Sequence, residues 1–261
     1  MMKNEIVFEK QIQKMKHKII IGDCRDVMKS IPDNSIDMII TSPPYNIGKD
    51  YKVFKENLSI KEYIKFTEQW IKESYRVLRN NGHLCLNLSV TDKINVDELH
   101  SRLLKINGFT IKEKIIWVKS KYTKIDFLIN SKNRFSYNTH GRLAMCYESI
   151  LVFTKSNYIP YSNSSKGIPE SWKYNVWFIP PVKERRHPAP FPKEIPKRLI
   201  QMYSRNGDTI LDPFSGTGTT IKVASEHGRN SIGIELNPEY VEIAKRRLNS
   251  NRKFIRRNEN G

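Results

Sequence analysis

Short apolar runs alternate with segments of helical periodicity along most of the chain. Seven runs are apolar enough for buried strands and are bounded by turn residues, at 17–22, 35–40, 83–89, 111–118, 149–154, 208–212 and 230–235. Between them, apolar residues recur at helical spacing and predict helices over 23–30, 60–78, 96–106, 194–203, 219–226 and 238–249. Strands that alternate with helices predict an α/β fold, doubly wound around a mostly parallel, seven-stranded sheet.

Three stretches do not follow this alternation. Residues 1–16 are polar and basic and are expected to form an arm, and residues 251–261 are expected to form a basic tail. Residues 119–186 are irregular and rich in Ser, Asn, Tyr, Pro and basic side chains, apart from the core strand at 149–154. We interpret this region as an insert that recognises the substrate.

The composition narrows the partners and the compartment. The 261 residues carry 45 Lys and Arg against 27 Asp and Glu, a net charge of +18, which is typical of nucleic-acid binding, although a genome rich in Lys codons would also produce it. No apolar stretch approaches the ~20 residues that span a bilayer. The three widely spaced cysteines, Cys24, Cys85 and Cys146, indicate neither a disulfide framework nor a metal site. The sequence therefore predicts a soluble, cytoplasmic protein without a metal.

A glycine-containing motif joins a predicted strand to a predicted helix at 211–220, with the sequence LDPFSGTGTT. Gly216 and Gly218 would let the backbone pass close to a ligand, and the start of the helix offers free N–H groups. The next strand ends in Glu235, where a doubly wound fold places a carboxylate on ribose hydroxyls. A glycine-softened turn beside a surface glutamate is the structural alternative. The combined pattern favours a nucleoside cofactor.

A second motif, Thr41-Ser42-Pro43-Pro44-Tyr45, follows another predicted strand, at the sheet edge where ligands bind in open α/β folds. The two prolines would hold the Ser42 hydroxyl and the Pro43 carbonyl rigidly. Two acceptors beside an aromatic ring suit a planar amine, which donates its N–H groups to them while Tyr45 stacks on its face. A proline turn capped by serine is the alternative.

Together the two motifs resemble the amino-methyltransferases of restriction–modification systems, which use S-adenosylmethionine (SAM) to methylate an exocyclic base nitrogen in DNA. The SPPY segment is similar to their catalytic motif and the DPFSGTGTT segment to their SAM-binding motif; this order resembles the circularly permuted β class. Residues 22–24, 81–83, 148–155 and 187–192 resemble further family segments in the same order. The resemblance implies a Rossmann-like SAM-dependent methyltransferase fold, with a catalytic part at 17–118, a target-recognition region at 119–186 and a SAM-binding part at 187–250.

The resemblance also assigns roles by position. Asp23 would bond the adenine amine, Glu235 would hold the ribose hydroxyls, and Ser42, Pro43, Pro44 and Tyr45 would hold the target base. The full set implied for the cofactor is Asp23, Cys24, Thr41, His187, Pro190, Asp212, Phe214, Ser215, Gly216, Thr217, Gly218, Thr219, Glu235, Leu236 and Asn237.

Duplex DNA is the implied substrate, and its target base would have to be flipped out of the helix to reach such a pocket. Candidate phosphate contacts are basic residues in or beside the insert: Lys119, Lys121, Lys124, Lys132, Arg134, Arg142, Lys183, Arg185 and Arg186. Serine at the first motif position favours N4 of cytosine within the family, with N6 of adenine as the alternative. A cognate restriction endonuclease and a homodimer are further expected partners.

Other readings of the same motifs stay open from sequence alone. The pocket would also serve an RNA or protein amine methyltransferase, and the fold would serve a non-catalytic DNA-binding protein. A C5-cytosine methyltransferase would need a nucleophilic cysteine, usually after a proline, and none of the three cysteines follows one. We interpret Cys85 and Cys146 as core residues of strands.

Overall fold

The computed structural model describes residues 5–12, 14–48, 57–89, 95–119, 146–155, 167–182 and 192–250. The strands are β1 (Glu5–Ile12), β2 (Met15–Ile21), β3 (Ile36–Thr41), β4 (Leu78–Ser89), β5 (Thr110–Val118), β6 (Tyr147–Thr154), β7 (Val176–Phe178), β8 (Thr209–Asp212) and β9 (Asn230–Glu235). The helices are α1 (Cys24–Val27), α2 (Ile60–Val77), α3 (Val96–Ile106), α4 (Glu194–Tyr203), α5 (Thr219–Glu226) and α6 (Pro238–Asn249). The seven predicted strands and six predicted helices are confirmed, with shifted ends.

The sheet is mostly parallel and has nine strands, in the order β1-β2-β9-β8-β3-β4-β6-β5-β7. Strands β2, β9, β8, β3 and β4 run parallel, whereas β6 is antiparallel to both β4 and β5. The predicted α/β class is confirmed, but the prediction of seven strands is wrong. Two strands at the outer edges of the sheet account for the difference.

Both additional strands carry weak sequence signals. Strand β1 pairs antiparallel with β2, so residues 5–12 of the predicted basic arm at 1–16 form an edge strand instead. Its charged residues and the half-exposed Ile6 are what an edge strand tolerates, because only one of its sides is paired. Strand β7 pairs with β5 and has three residues, too few to show a period, although Trp177 within it is fully buried.

Strand β4 begins at Leu78, directly after α2, and so starts earlier than the strand predicted from residue 83. Leu78 is fully buried and pairs with Ile36, and the register then shifts so that Met38 pairs with His83. Asn81, with a φ of 65°, lies in this irregularity. Burial of Leu78 thus continues the strand through residues whose local preference is a turn.

Helices cover both faces of the sheet, and the central strands are buried on both sides. Ile39 of β3 packs with the residues of α2, whereas its neighbours Met38 and Ile40 pack with those of α4 and α5. This two-sided burial explains why the strand is apolar throughout instead of alternating. In the part of the chain that the structure describes, no helix is long and apolar enough to cross a membrane.

Candidate active site

The two motifs identified in the sequence meet at the carboxyl edge of the sheet. Strands β3 and β8 are neighbours, with Met38 opposite Ile210 and Ile39 opposite Leu211. Just beyond this pairing, the Thr41 hydroxyl donates to Asp212 Oδ1 at 2.8 Å, and both residues are buried. The predicted proximity of the two motifs is therefore confirmed, because one hydrogen bond joins Thr41 of the first motif to Asp212 of the second.

The proline turn after β3 is held by side chains from several elements. Tyr63 of α2 donates its hydroxyl to the Pro44 carbonyl at 2.8 Å. The Tyr45 hydroxyl lies 2.5 Å from Ser42 Oγ and donates to the backbone carbonyl of Asn87 in β4 at 2.8 Å. Only 5% of Tyr45 is exposed and its ring lies in the α2 core, so stacking of this ring on a base stays a prediction.

Asn46 follows the proline turn and fixes the chain there with two side-chain hydrogen bonds. Asn46 has a φ of 58°, a left-handed conformation that asparagine tolerates better than most residues. Its side-chain amide donates to the Leu58 carbonyl at 2.8 Å and accepts from the Leu58 N–H at 2.9 Å. The two bonds tie the turn to the start of α2 and fix the backbone on its far side.

The glycine motif forms a tight loop between β8 and α5 that packs against α6. Gly218 has a φ of 79°, and a Cβ there would lie 2.7 Å from the Cβ of Ala244. Arg247 of α6 donates to the hydroxyls of Thr217 and Thr219 at 2.8 and 3.2 Å. Both threonine side chains therefore face α6 and hold the loop against that helix.

Two carboxyl groups flank this loop, the buried Asp212 and the half-buried Glu235. Glu235 accepts from the Gly216 N–H at 2.7 Å and from the Asn237 N–H at 2.8 Å, yet burial raises its pKa to about 7. Burial likewise raises the pKa of Asp212 to about 6, against hydrogen bonds that include the one from Thr41. The Ser215 hydroxyl beside them is buried and has no partner within the described residues.

Asp23, after β2, is paired with its own helix. Its carboxylate caps α1 by accepting from the Arg25 N–H at 2.9 Å, and it also binds the Arg25 guanidinium at 2.7 Å. Burial opposes ionisation, but the bonds and charge of Arg25 outweigh it and lower the pKa of Asp23. The guanidinium lies 5.1 Å from the Phe66 ring centre, and Phe66 in turn packs on Phe214 at 6.0 Å. These residues form an aromatic and charged wall beside the glycine loop.

Comparison with known proteins identifies the family to which this chain belongs. A family model described as DNA methylase, for N6 and N4 enzymes, matches residues 36–246. The chain belongs to this DNA methylase family. Over 256 residues it is 32% identical to the type II methyltransferase M.HpaI of Haemophilus parainfluenzae, covering 90% of this chain and 75% of the relative. Over 255 residues it is 32% identical to the DNA adenine methyltransferase YhdJ of Escherichia coli K12, covering 88% and 82%.

Solved structures agree with this assignment. TTHA0409, a proposed DNA modification methylase from Thermus thermophilus crystallised with S-adenosyl-L-methionine, superposes with a TM-score of 0.64 at 27% identity, covering 89% of this chain and 93% of that one. The cytosine-N4-specific PvuII methyltransferase shares the fold, with a TM-score of 0.68 at 22% identity over 89% and 86% of the two chains. The methylase is thus a β-class amino-methyltransferase of the restriction–modification type, with SAM as its cofactor.

The described residues of the methylase fit that cofactor. Ribose hydroxyls are donors that a carboxylate such as Glu235 can accept, and the methionine ammonium suits the buried carboxyl of Asp212. The buried Ser215 hydroxyl, lacking a partner within the described ranges, is a further polar group that a ligand could satisfy. The loop thus offers acceptors of the kind that a nucleoside cation requires.

Several predicted site residues turn out to support the loop through other groups. Asn237 caps α6 by accepting from the Glu239 N–H at 2.9 Å, and its own N–H binds Glu235. The Cys24 side chain lies in the core, while Leu236 is half-buried between Glu235 and Asn237.

Of the predicted DNA contacts, Lys119 is described and is paired with Glu148 at 2.6 Å. The remainder of that set, and His187 and Pro190 of the cofactor set, lie outside the described residues: Lys121, Lys124, Lys132, Arg134, Arg142, Lys183, Arg185 and Arg186.

The cysteines divide into two groups. Cys85 is a buried core residue of β4, as predicted, and burial raises the pKa of both its thiol and that of Cys24. A protonated, buried thiol is a poor nucleophile, which argues against C5-type chemistry at either residue. Cys146 precedes β6 and is half-buried, so its assignment to a strand core is wrong.

Sequence reasoning missed three groups that shape the site of the methylase. Arg25 follows Asp23 by two residues and orders its carboxylate, a pattern visible as an N-cap in the sequence. Asn87 and Glu148 contact each other at 2.6 Å across β4 and β6. The local signal for Asn87 is one amide between Leu86 and Leu88. Its partner Glu148 leaves no local signal, because the pairing of β4 with β6 is set by the tertiary fold.

Replacing Gly218 with alanine should lower the melting temperature of the methylase by about 5–15 °C. The left-handed backbone costs about 1 kcal/mol for any residue with a Cβ, and the new Cβ would collide with Ala244, at an overpacking cost of about 1–3 kcal/mol. Gly207→Ala is the matched control, since Gly207 has a φ of 88° and open space around its Cβ position. Equal losses of melting temperature in the two variants would show that the contact with α6 contributes nothing.

Proposed function

We propose that this methylase transfers a methyl group from SAM to the exocyclic N4 amine of a cytosine that is flipped out of duplex DNA at a specific sequence. The observation that carries the proposal is the Thr41–Asp212 hydrogen bond. It ties the residue before Ser42 to Asp212 at the start of the cofactor loop, so that a rigid acceptor would stand beside SAM when it is bound. Nitrogen, methyl carbon and sulfur can then be aligned without large movements.

Methyl transfer requires the protein to align the reacting atoms and to place hydrogen-bond acceptors beside the target amine. SAM supplies an electrophilic methyl group carried on a sulfonium. The Ser42 hydroxyl and the Pro43 carbonyl would accept the two N–H bonds of the target amine, whose lone pair is otherwise delocalised into the ring. Holding both hydrogens lets the nitrogen become more tetrahedral as it attacks, so these acceptors act most strongly in the transition state.

The choice between N4 of cytosine and N6 of adenine rests on the serine at the first motif position. Among the similar proteins are both an adenine methyltransferase and a cytosine-N4-specific one, so family membership supports either base equally. Sequencing that maps modified bases in DNA from cells expressing the gene tests the proposal. We expect N4-methylcytosine within one short sequence, and much less of it with Ser42→Ala; N6-methyladenine instead would overturn the proposed base.

The nucleic acid itself is tested separately. Labelled SAM should transfer its methyl group to duplex DNA and not to tRNA or rRNA, and binding to DNA should weaken steeply with salt, because basic side chains displace counterions from phosphates. Transfer confined to RNA would overturn a DNA substrate. A cognate endonuclease and a homodimer stay predictions.

A further inference from the structure

A chain of polar groups connects the proline turn to the neighbouring strands. Ser42 Oγ lies 2.5 Å from the Tyr45 hydroxyl, which contacts Asn87 through the backbone carbonyl at 2.8 Å and the side-chain amide at 3.4 Å. The amide nitrogen of Asn87 donates to Glu148 Oε2 at 2.6 Å, and Glu148 Oε1 pairs with Lys119 at 2.6 Å. Two neighbouring strands, β4 and β6, and Lys119 directly after β5 thus contribute to fixing one hydroxyl group.

The direction of each hydrogen bond in this chain follows from which atoms carry protons. A backbone carbonyl can only accept, so the single proton of the Tyr45 hydroxyl is donated to the Asn87 carbonyl. The bond between Ser42 and Tyr45 must then use the proton of Ser42. With its own proton donated to Tyr45, the Ser42 oxygen can only accept from any further group.

Glu148 determines the orientation of the Asn87 side-chain amide. A carboxylate paired with lysine accepts and does not donate, so the NH2 end of the Asn87 amide must face it. The same NH2 group also points at the Tyr45 oxygen, which therefore receives donors and is disfavoured as a donor toward Ser42. The amide oxygen of Asn87 is left buried without a partner within the described part of the chain. Such an unsatisfied buried acceptor is costly, and costs of this kind occur at functional sites.

We propose that the Tyr45 hydroxyl, held by Asn87 and Glu148, is a positioning group for methyl transfer: its oxygen accepts the hydrogen bond donated by the Ser42 hydroxyl, so that Ser42 meets the target amine only as an acceptor. The inference rests on the proposed function. It assigns a role to the Tyr45 hydroxyl that is separate from stacking of the Tyr45 ring on a base. In its absence, Ser42 could rotate and present its proton to the substrate nitrogen, which would oppose the attack.

A double-mutant cycle tests this role. Tyr45→Phe keeps the ring and removes the hydroxyl; we expect a single-turnover rate about three- to tenfold lower at saturating SAM and DNA, the loss of roughly one hydrogen bond. The dissociation constants for SAM and DNA should stay unchanged. In the Ser42→Ala background, Tyr45→Phe should cause no further loss, because a group that acts through Ser42 has nothing left to orient.

Other outcomes separate the alternatives. An unchanged rate in Tyr45→Phe, or losses that multiply in the double variant, would overturn the positioning role. A loss seen only as weaker DNA binding would show that the hydroxyl serves base capture instead. Tyr75→Phe, at the far end of α2 against Phe109, is the control for removing a tyrosine hydroxyl and should keep the wild-type rate. Wild-type protein that methylates no DNA would overturn the proposed function itself.

Discussion

Replacing Ser42 with alanine should slow methyl transfer by about a hundredfold, the usual cost of deleting one preorganised polar group that acts in a transition state. Binding of SAM should be unchanged, because Thr41 and Asp212 keep their hydrogen bond and the cofactor loop is untouched. Single-turnover transfer from labelled SAM to target DNA measures the first effect, and calorimetric titration with SAM measures the second.

The control for this experiment is a serine that makes no contact with the site. Ser225 of α5 donates to the Lys222 carbonyl within its own helix, and Ser225→Ala should therefore keep the wild-type rate. A Ser42→Ala variant with the wild-type rate would remove Ser42 from catalysis. A variant that loses SAM affinity as well would show that the proline turn and the glycine loop depend on each other more strongly than one bond between Thr41 and Asp212 suggests.

Replacing Glu235 with glutamine should weaken SAM binding by about ten- to hundredfold, as expected when a buried donor loses its acceptor. The two carboxylate oxygens accept from Gly216 and Asn237, and an amide of the same shape can accept only on one side. The other N–H would then face an NH2 group, and the ribose hydroxyls would lose a charged acceptor. Titration calorimetry with SAM measures the change, and an unchanged affinity would contradict the assignment of Glu235.

The same carboxyl group predicts a pH dependence. Because the pKa of Glu235 is raised to about 7, SAM affinity should rise between about pH 6 and 8 as the carboxylate forms, and Glu235→Gln should lose this rise. In the absence of SAM, the folded protein holds this proton more tightly than the unfolded chain does. The free energy of unfolding should therefore fall as pH increases from about 4.5 to about 7.

Asp212 lowers the free energy of unfolding in the same direction as pH rises, since its pKa is raised from 3.8 to about 6, and this range overlaps that of Glu235. The difference between wild type and Glu235→Gln in calorimetric titrations and thermal melts at each pH isolates the contribution of Glu235. A difference in SAM affinity that does not vary across pH 6–8 would show that Glu235 stays ionised throughout.

The chain order of the elements and the two motifs could be read from the sequence, for identifiable physical reasons. The strands around β3 and β8 are buried on both faces, so each is a continuous apolar run that stands out from its neighbours. Glycine at 216 and 218 and the proline pair at 43 and 44 mark backbone conformations that few other residues permit. These local signals determined the fold class and the location of the ligand-binding edge.

Tertiary structure decided everything that depends on which strands become neighbours. Strand β1 is rich in charged residues, and β7 has only three residues, so neither has a clear strand pattern in the sequence. Their places at the sheet edges come from pairing with β2 and β5. The contact between Asn87 and Glu148 likewise exists because β4 and β6 run antiparallel in one register. Local sequence therefore determined which residues carry the chemistry, whereas strand pairing decided which polar atoms face those residues. The physical reason is that hydrogen bonds between distant segments produce no periodic pattern along the chain.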